Sequence, residues 1–287
     1  MKRTIALALL ALALFAGCST QPRNQGEITD MRRQAEAQLG RGNRQADRSE
    51  PEGALFFIED ALRLAILADD SGLRARAGLS LGNALFALGL ESEARAAWAE
   101  ALAEAESSGS RELVALARSH AARGALFSAI TARSGAAVAQ SVVEELARER
   151  PHLRDPLFVA FSWTVEALAL GELGRFAQAE AASARSRATH ERARLFELAA
   201  FDWFMIASFR SRSGDLPGAR AALEASIELD RRVENSWGLA ASWRALGDVQ
   251  TRAGNREAAA AAYARSAGIF SALGHEAAAQ DALSRAP

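Results

Sequence analysis

The feature that most constrains this 287-residue chain is a glycine that returns about every 40 residues, a period in the range typical of structural repeats. Alanine, leucine, glutamate and arginine dominate between these glycines, and apolar residues recur at helical spacing, which predicts helices throughout. Each glycine therefore ends one helix and turns the chain into the next. A unit that returns in this way predicts a repeat array. The aligned residues are Gly89, Gly135, Gly174, Gly214 and Gly254, and the first interval is the longest.

Other positions recur with the glycines. A small residue lies seven positions before each of them, and Trp163, Trp203 and Trp243 lie eleven positions before the last three. Small residues on facing helices let two helix axes approach closely, while a large residue one turn away fills the space beside the contact. The pattern predicts antiparallel helix pairs and places the tryptophans in the packing between them. The small residues are Gly82, Ser128, Ala167, Ala207 and Gly247.

These spacings resemble the tetratricopeptide repeat, whose signature has Trp, Leu-Gly, Tyr, Gly, Ala, Phe and Ala at fixed offsets. One unit matches at Trp243, Leu246-Gly247, Gly254, Ala259, Tyr263 and Ser266, and another matches at Leu81-Gly82, Gly89, Ala94, Trp98 and Ala101. The resemblance implies an all-α fold, a right-handed α-solenoid of antiparallel helix pairs. The longer period implies helices longer than those of the usual unit of about 34 residues.

The resemblance also implies how the chain is divided. Residues 73–274 are expected to hold five repeats, and residues 275–287 have room for one helix that caps the array. Residues 27–72 are interpreted as a degraded first repeat in which residues 40–50 form a polar insert. The repeat around Gly135 departs from the pattern at two positions, which leaves its register open.

The first twenty residues differ from the rest. Lys2 and Arg3 precede an apolar run over residues 5–15, which is too short to cross a bilayer as a mature helix, since that takes about 20 residues. This order indicates a signal peptide. The ending Phe15-Ala16-Gly17-Cys18 resembles the lipobox of bacterial lipoproteins. The resemblance implies a signal peptide over residues 1–17, an acylated Cys18 and a tether over residues 18–26; the alternative is a free cysteine behind an ordinary signal peptide.

A lipoprotein of this kind is held outside the cytoplasm by its lipid anchor. Ser19 stands where Asp would imply retention at the inner membrane. The resemblance therefore implies the outer membrane, facing the periplasm, if the source has two membranes. Cys18 is the single cysteine of the chain, so no disulfide can form within it.

Charge and motifs exclude several function classes. The formal net charge is −1, which argues against a nucleic-acid binder because such a protein needs a strong basic excess. The histidines lie far apart without metal-ligand spacing and are expected on the surface. No nucleophile can be singled out either, so the sequence predicts no enzymatic activity, no cofactor and no metal site. The four histidines are His120, His152, His190 and His275.

Two function classes remain. The favoured one is a membrane-anchored scaffold whose concave groove binds a peptide, a protein or an envelope-assembly partner, as tetratricopeptide proteins commonly do. The alternative is a solute-handling lipoprotein that delivers a small ligand to a transporter. An open groove would favour the first class, whereas a closed pore or a deep apolar pocket would favour the second.

The tetratricopeptide resemblance also implies which residues face the groove. In similar proteins the position two residues before the closing glycine faces inward, and Lys, Arg and Asn at such places clamp the C-terminal carboxylate of peptides. Arginine occupies that position in three of four repeats here, which predicts a band that captures an acidic partner. The alternative is that these arginines pair with glutamates of adjacent helices. The predicted groove residues are Asn83, Phe86, Arg133, Phe204, Arg212, Arg244 and Arg252.

Overall fold

The computed structural model describes residues 30–46 and 51–287. The predicted signal peptide, Cys18 and the tether lie outside the described residues. Within them the chain forms thirteen α-helices and one short 3-10 helix, and no strand. The helices are α1 (Asp30–Ala46), α2 (Pro51–Leu67), α3 (Ser71–Ala87), α4 (Glu91–Ser107), α5 (Arg111–Thr131), α6 (Gly135–Glu149), α7 (Pro156–Glu172), α8 (Phe176–Arg192), α9 (Phe196–Ser213), α10 (Leu216–Arg232), α11 (Ser236–Arg252), α12 (Arg256–Ala272) and α13 (Glu276–Ser284).

The helices pack in consecutive pairs, from α1 with α2 to α11 with α12, and α13 packs against α12. Each odd-numbered helix from α1 to α9 also contacts the next odd-numbered helix, and the even-numbered helices make no comparable contact with one another in the described part of the chain. Helices that approach their equivalents in neighbouring repeats lie on the inner side of a curved array. The odd-numbered helices therefore form the inner surface. The predicted fold class, an all-α solenoid of tetratricopeptide-like helix pairs, is confirmed.

A left-handed residue closes the turn after each helix from α2 to α5 and from α7 to α12, with φ between 48° and 94°. In most of these turns the next N–H bonds back to a carbonyl five residues earlier, as Leu90 does to Leu85, which is the helix-ending pattern that glycine favours. The structural period is thus one helix and one turn, and the repeat from glycine to glycine is two such units. Glycine closes six turns, and the other four are closed by Asp69, Arg133, Arg194 and Glu234.

The register around Gly135, which the sequence left open, is shifted, and the predicted inward position of Arg133 is corrected with it. Gly135 begins α6, and the left-handed residue that closes α5 is Arg133, with a φ of 58°. Gly135 is buried at the start of α6, where a Cβ would lie 2.6 Å from Oε2 of Glu172 and 3.0 Å from Cγ1 of Ile130, so a larger residue would require these side chains to shift. Arg133 consequently lies in the turn itself, so the position two residues before the closing residue is Thr131.

The first pair also differs from the prediction, because α1 continues through residues 40–46, most of the stretch interpreted as a polar insert. Gly42 is buried against α2, and a Cβ there would lie 2.5 Å from Cγ1 of Ile58 and 3.1 Å from the carbonyl oxygen of Ala54. Arg41, Asn43 and Arg44 lie on the exposed face of this helix, while its opposite face packs closely on α2.

Aromatic side chains fill the space that glycines leave at helix contacts. A Cβ on Gly247 would lie 2.6 Å from the ring of Tyr263, and one on Gly171 would lie 2.6 Å from the ring of Phe209. Both rings are buried. Gly247 is one of the small residues predicted at a helix contact, whereas the contact of Gly171 with Phe209 was not predicted.

Candidate functional site

The inner surface carries exposed apolar side chains near the N-terminal ends of two of its helices. Leu198 and Phe201 of α9 are 45% and 43% exposed, and Leu157 of α7 is also exposed. Since α8, α10, α7 and α11 cover the other sides of α9, its exposed residues face the groove. Leu198 and Phe201 are three residues apart on one helix and therefore lie side by side, and neighbouring exposed apolar side chains are typical of binding surfaces.

Three of the predicted groove arginines contact neighbouring repeats. The guanidinium of Arg212 lies 3.9 Å from the carboxylate of Glu172, and Arg252 donates a hydrogen bond to Ser211 Oγ. Arg244 pairs with Asp281 at 3.2 Å. The alternative interpretation, pairing with glutamates of adjacent helices, describes Arg212, whereas Arg244 pairs with an aspartate. The capture of an acidic partner by this band stays a prediction.

The predicted groove aromatics lie in two places. Phe204 is partly buried and packs against the apolar core that α9 shares with α10 and α11. Phe201, less than one turn earlier, is the more exposed ring of that helix, and the repeat frame did not select it. Phe86 is partly buried between α3, α4 and α5, where its ring centroid lies 5.7 Å from Trp98 and 5.1 Å from Phe127.

Trp98 explains how this aromatic group forms. It belongs to the outer helix α4, yet its indole reaches between α3 and α5 because Gly82 and Gly124 carry no side chain there. A Cβ on Gly82 would lie 2.2 Å from Trp98 Nε1, and a Cβ on Gly124 would lie 2.8 Å from its Cζ3. The indole is only 1% exposed, and it forms the floor under the residues of α3 and α5 that face the groove.

An arginine lies on this floor. The guanidinium carbon of Arg123, on α5, lies 4.8 Å from the ring centroid of Trp98, 5.3 Å from that of Phe86 and 5.2 Å from that of Phe161. Its Nη2 donates a 2.7 Å hydrogen bond to Oδ1 of Asn83. We call this group the arginine nest; it consists of Asn83, Phe86, Trp98, His120, Arg123, Phe127 and Phe161. Two of its members, Asn83 and Phe86, were predicted from the sequence, and the other five were not.

No carboxylate pairs with Arg123 among the residues that the structure describes. Burial lowers its pKa to about 10, so the guanidinium is still charged at neutral pH. The faces of the three rings stabilise this charge, as electron-rich rings do for a nearby cation. The nest is a permanent positive charge in a largely apolar site.

Three buried nitrogens of the nest also lack a hydrogen-bond partner within the described residues: Trp98 Nε1, His120 Nδ1 and Arg123 Nε. His120 is 5% exposed and stacks on Phe161 with centroids 4.2 Å apart. Burial, and secondarily the charge of Arg123, hold the pKa of His120 well below its usual value, so the ring is neutral at pH 7. The prediction of surface histidines is wrong for His120 and also for His190, because both face helix contacts.

The arginines that accompany Trp163, Trp203 and Trp243 form a second pattern. Each tryptophan is partly buried and packs against the apolar core, as predicted. An arginine lies over each ring, which the sequence did not reveal. Trp163 has two guanidinium carbons over its ring, those of Arg150 at 3.4 Å and Arg185 at 4.4 Å from the centroid. Trp203 has that of Arg187 at 4.2 Å, and Trp243 that of Arg265 at 4.5 Å.

A buried polar group lies between α8 and α9. His190 Nδ1 is 2.7 Å from Oδ2 of Asp202 and 3.4 Å from Oγ of Ser186. Both contacts use the same ring nitrogen, whereas a catalytic triad places the hydroxyl at the other one. Ser186 is also fully buried. This group therefore joins two repeats and is not arranged for nucleophilic catalysis.

Three or more His, Cys, Asp or Glu side chains converge nowhere in the part of the chain that the structure covers. None of the helices described has both the length and the apolar character needed to cross a membrane.

No protein-family model matches the sequence, and no curated protein matches it. Several solved structures share its fold. BtubC (BKLC) from P. vanneervenii is 18% identical with a TM-score of 0.56, over 84% of this chain and 92% of that chain. A Rap protein complexed with Competence and Sporulation Factor is 14% identical with a TM-score of 0.61, over 90% of this chain and 76% of that chain. Aspartyl phosphate phosphatase F from Bacillus subtilis is 10% identical with a TM-score of 0.50, over 91% and 71%.

Proposed function

We propose that this chain is a membrane-anchored, extracytoplasmic scaffold that binds a peptide or a protein segment along its inner surface. The observation that carries the proposal is the exposed apolar side chains near the N-terminal ends of two inner helices, Leu157 on α7 and Leu198 and Phe201 on α9. Exposed rings and aliphatic side chains on a rigid helical wall supply the buried area that peptide recognition needs. The positive charge of the arginine nest lies along the same surface, on α5, and suits a partner with acidic groups.

The fold supports the same interpretation by analogy. The Rap protein of similar fold was solved in complex with Competence and Sporulation Factor. A shared fold does not by itself give a shared function, so the proposed function rests on the inner surface of this chain.

The small-ligand alternative receives less support. One cavity, of about 540 Å³, is lined by Gly174, Phe176 and Ser213 near the turn between α7 and α8, and it is open to solvent. A second, of about 180 Å³, is lined by Arg41, Arg44, Gln45 and Phe57. Neither is the enclosed apolar cavity in which proteins bury most of a small ligand.

Membrane attachment is proposed from the sequence at Cys18. A single acyl chain binds membranes only marginally, so stable attachment needs two or more chains, as a lipidated N-terminal cysteine would supply. A Cys18→Ser variant should lose lipid labelling and leave the detergent phase in a Triton X-114 partition, while unchanged partition and labelling would exclude Cys18 as the anchor.

The binding proposal can be tested with two matched variants. Phe201→Asp places a charge in the groove, and Phe56→Asp places the same charge on the outer helix α2, where Phe56 is 69% exposed. The tagged full-length chain would be captured from its native cell envelope and its partners identified by mass spectrometry. We expect the same partner with wild type and Phe56→Asp, and its loss with Phe201→Asp. Equal recovery with Phe201→Asp, given an unchanged circular dichroism spectrum, would exclude the inner surface.

A further inference from the structure

We propose that one edge of the array lies against the surface of a lipid bilayer. This inference rests on the proposed function, because it assigns the side of the scaffold that faces the membrane. The proposal is carried by where the exposed apolar side chains lie, where the chain enters the first helix and how the neighbouring charges are paired. We call this side the apolar edge, and it consists of Met31, Ile66, Leu67, Val233, Trp237 and Leu273.

The array has two edges, because successive helices run in opposite directions. Leu39 of α1 packs with Ala61 of α2, and Ala35, one turn earlier in α1, packs with Leu64 and Ala65, later in α2. Short turns reverse the chain after the later helices. Odd-numbered helices therefore begin, and even-numbered helices end, at one edge. A helix of 17 residues is about 25 Å long, which is the distance between the two edges.

Exposed apolar side chains are concentrated at this edge. Among the described residues, twelve large apolar side chains are exposed, and nine of them lie in the first two turns of odd-numbered helices, in the last turn of even-numbered helices or in the turns that join them. The exceptions are Phe56, Leu90 and Leu283. Single exposed apolar residues are ordinary on a protein surface, whereas their concentration on one side indicates an interaction surface.

The nine side chains divide into two groups. Leu157, Leu198 and Phe201 belong to the surface proposed for the partner. The other six form the apolar edge, and they occur both in the first helix pair and in the last turns of the array. A flat, extended surface fits this distribution better than a short segment of a partner does.

The segment that would carry the lipid anchor enters the array at the same edge. Asp30 begins α1, and the register of the first pair places Met31 level with the end of α2 that carries Ile66 and Leu67. Residues 19–29 can span at most about 40 Å even when fully extended, so an acylated Cys18 holds this edge near the bilayer. The tether makes the contact intramolecular, so a few apolar side chains are sufficient to fix the orientation.

The charges beside the first part of the edge are paired, which indicates the kind of lipid. Arg32 Nε lies 2.9 Å from a carboxylate oxygen of Asp70, and Arg74 Nη2 lies 3.0 Å from one of Asp69. Paired charges add no net attraction for anionic headgroups. The contact therefore depends on the burial of apolar side chains, and a zwitterionic bilayer is sufficient for it.

Trp237 is suited to such a surface in the last part of the edge. It is half exposed, and its ring packs edge-on against Phe270 and His275, with ring centroids 5.2 Å and 4.8 Å away. Tryptophan is enriched at membrane surfaces because its ring is apolar and its N–H is polar. Its exposed part therefore matches the boundary between headgroups and lipid tails.

The orientation can be measured with fluorescent labels on single introduced cysteines. Cys18 is the one cysteine of the chain, so the mature acylated protein has no other thiol to label. Leu67→Cys and Leu273→Cys place a bimane label at the apolar edge, and Leu90→Cys and Leu283→Cys place it at the opposite edge. The sites are matched, because Leu67 and Leu283 are 58% and 56% exposed, and Leu273 and Leu90 are 41% and 42% exposed.

Each labelled protein is reconstituted into phosphatidylcholine vesicles that contain a nitroxide-labelled phosphatidylcholine. Quenching requires near contact, and the edges lie about 25 Å apart, so we expect strong quenching at positions 67 and 273 and little at positions 90 and 283. Added phosphatidylglycerol should not increase it. Ile66→Asp should lower the quenching at position 273 by on the order of twofold or more, because a charge weakens the apolar contact. Phe56→Asp, on the same helix away from this edge, should leave it unchanged.

Several outcomes would overturn the proposal. Equal quenching at the two edges would show that the apolar edge does not face the bilayer, and quenching confined to position 67 would overturn it for the array as a whole. A blue-shifted label at position 67 without quenching, together with a dimer mass in analytical ultracentrifugation, would assign the edge to a second copy of the chain. If Ile66→Asp folds poorly by circular dichroism, the two label pairs decide the question.

The same measurements separate this proposal from the proposed function. Lipid at Cys18 and partner capture that depends on Phe201, with equal quenching at both edges, would leave the anchored scaffold standing and remove the apolar edge as its membrane contact. Quenching confined to the apolar edge without any captured partner would do the reverse. Absence of lipid at Cys18 would remove membrane attachment and the apolar edge's role with it.

Discussion

At the scale of single residues, Asp230 shows what burial does to a charge in this array. Asp230 lies near the end of α10 and is 2% exposed. His190 has the equivalent position near the end of α8, one repeat earlier in the chain. Asn235 Nδ2 donates a 2.8 Å hydrogen bond to Asp230, and the hydrogen bond with Ser226 also favours its charged form. Burial outweighs both and raises its pKa from 3.8 to about 6.

The first prediction follows from the sign of that shift. A folded-state pKa above the unfolded value gives stability that is full below pH 3.8 and is lost as the pH rises through about 6. Ionised Asp230 therefore costs on the order of 2–3 kcal/mol at pH 7.5. Asp230→Asn should raise the melting temperature at pH 7.5 and have little effect at pH 4.

Thermal unfolding from pH 4 to pH 7.5 measures the difference between variant and wild type at each pH. Asp281→Asn is the control, because the hydrogen bond from Arg285 lowers the pKa of that exposed carboxyl, so its removal should not stabilise the protein above pH 6. A difference for Asp230→Asn that does not grow between pH 4 and pH 6.5 would contradict the assigned cause.

The second prediction concerns Trp98. Gly124→Ala should destabilise the chain by about 1–3 kcal/mol, because the new methyl group would lie 2.8 Å from the buried indole. Gly268→Ala, on α12, has no atom within 4 Å of its new Cβ and should stabilise by about 0.5–1 kcal/mol through helix propensity. Chemical denaturation compares the two. Equal changes in the free energy of unfolding would mean that Gly124 affects stability only through the flexibility of its backbone and not through its contact with Trp98.

The site was only partly predictable from the sequence, and Arg123 shows why. A repeat frame based on glycines assigns Gly135 as the residue that closes α5. This assignment shifts the predicted register of α5, the helix that carries Arg123, by two residues. Arg133 takes the left-handed conformation there, and nothing about an arginine indicates this. His120 was missed for another reason: its burial depends on stacking against Phe161, which lies on α7, two helices further along the chain.

At the scale of elements, the helices and their pairing were predictable because apolar spacing and glycine record them locally. The shorter period of one helix and one turn was not, since four of the ten left-handed turns have no glycine. Asn255 N–H bonds to the Gln250 carbonyl in the turn after α11, and Asn235 N–H bonds to the Asp230 carbonyl in the turn after α10. Both turns have the same geometry, although Gly254 closes the turn after α11 and Glu234 closes the turn after α10.

The third prediction uses this pair of turns. A side chain in the left-handed region costs about 1–2 kcal/mol, and glycine costs about 0.5–1 kcal/mol in chain entropy instead. Glu234→Gly should therefore stabilise by about 0.5 kcal/mol, and Gly254→Ala should destabilise by about 1 kcal/mol. Denaturation midpoints of both variants provide the measurement, and a loss of stability in Glu234→Gly would show that its side chain contributes more than the strain costs.

At the scale of the whole molecule, each helix pair contacts only its neighbours, so stability is expected to be a sum of local terms. Ala259 is fully buried on α12, where it packs in the pair formed with α11. Ala259→Trp, the fourth prediction, should cost about 1–3 kcal/mol or more by overpacking this contact. Hydrogen exchange followed by mass spectrometry should show lost protection in α11, α12 and α13, and unchanged protection from α3 to α7. Protection lost evenly along the chain would mean that the array unfolds as one cooperative body, and an unchanged melting temperature would mean that the contact is looser than the structure shows.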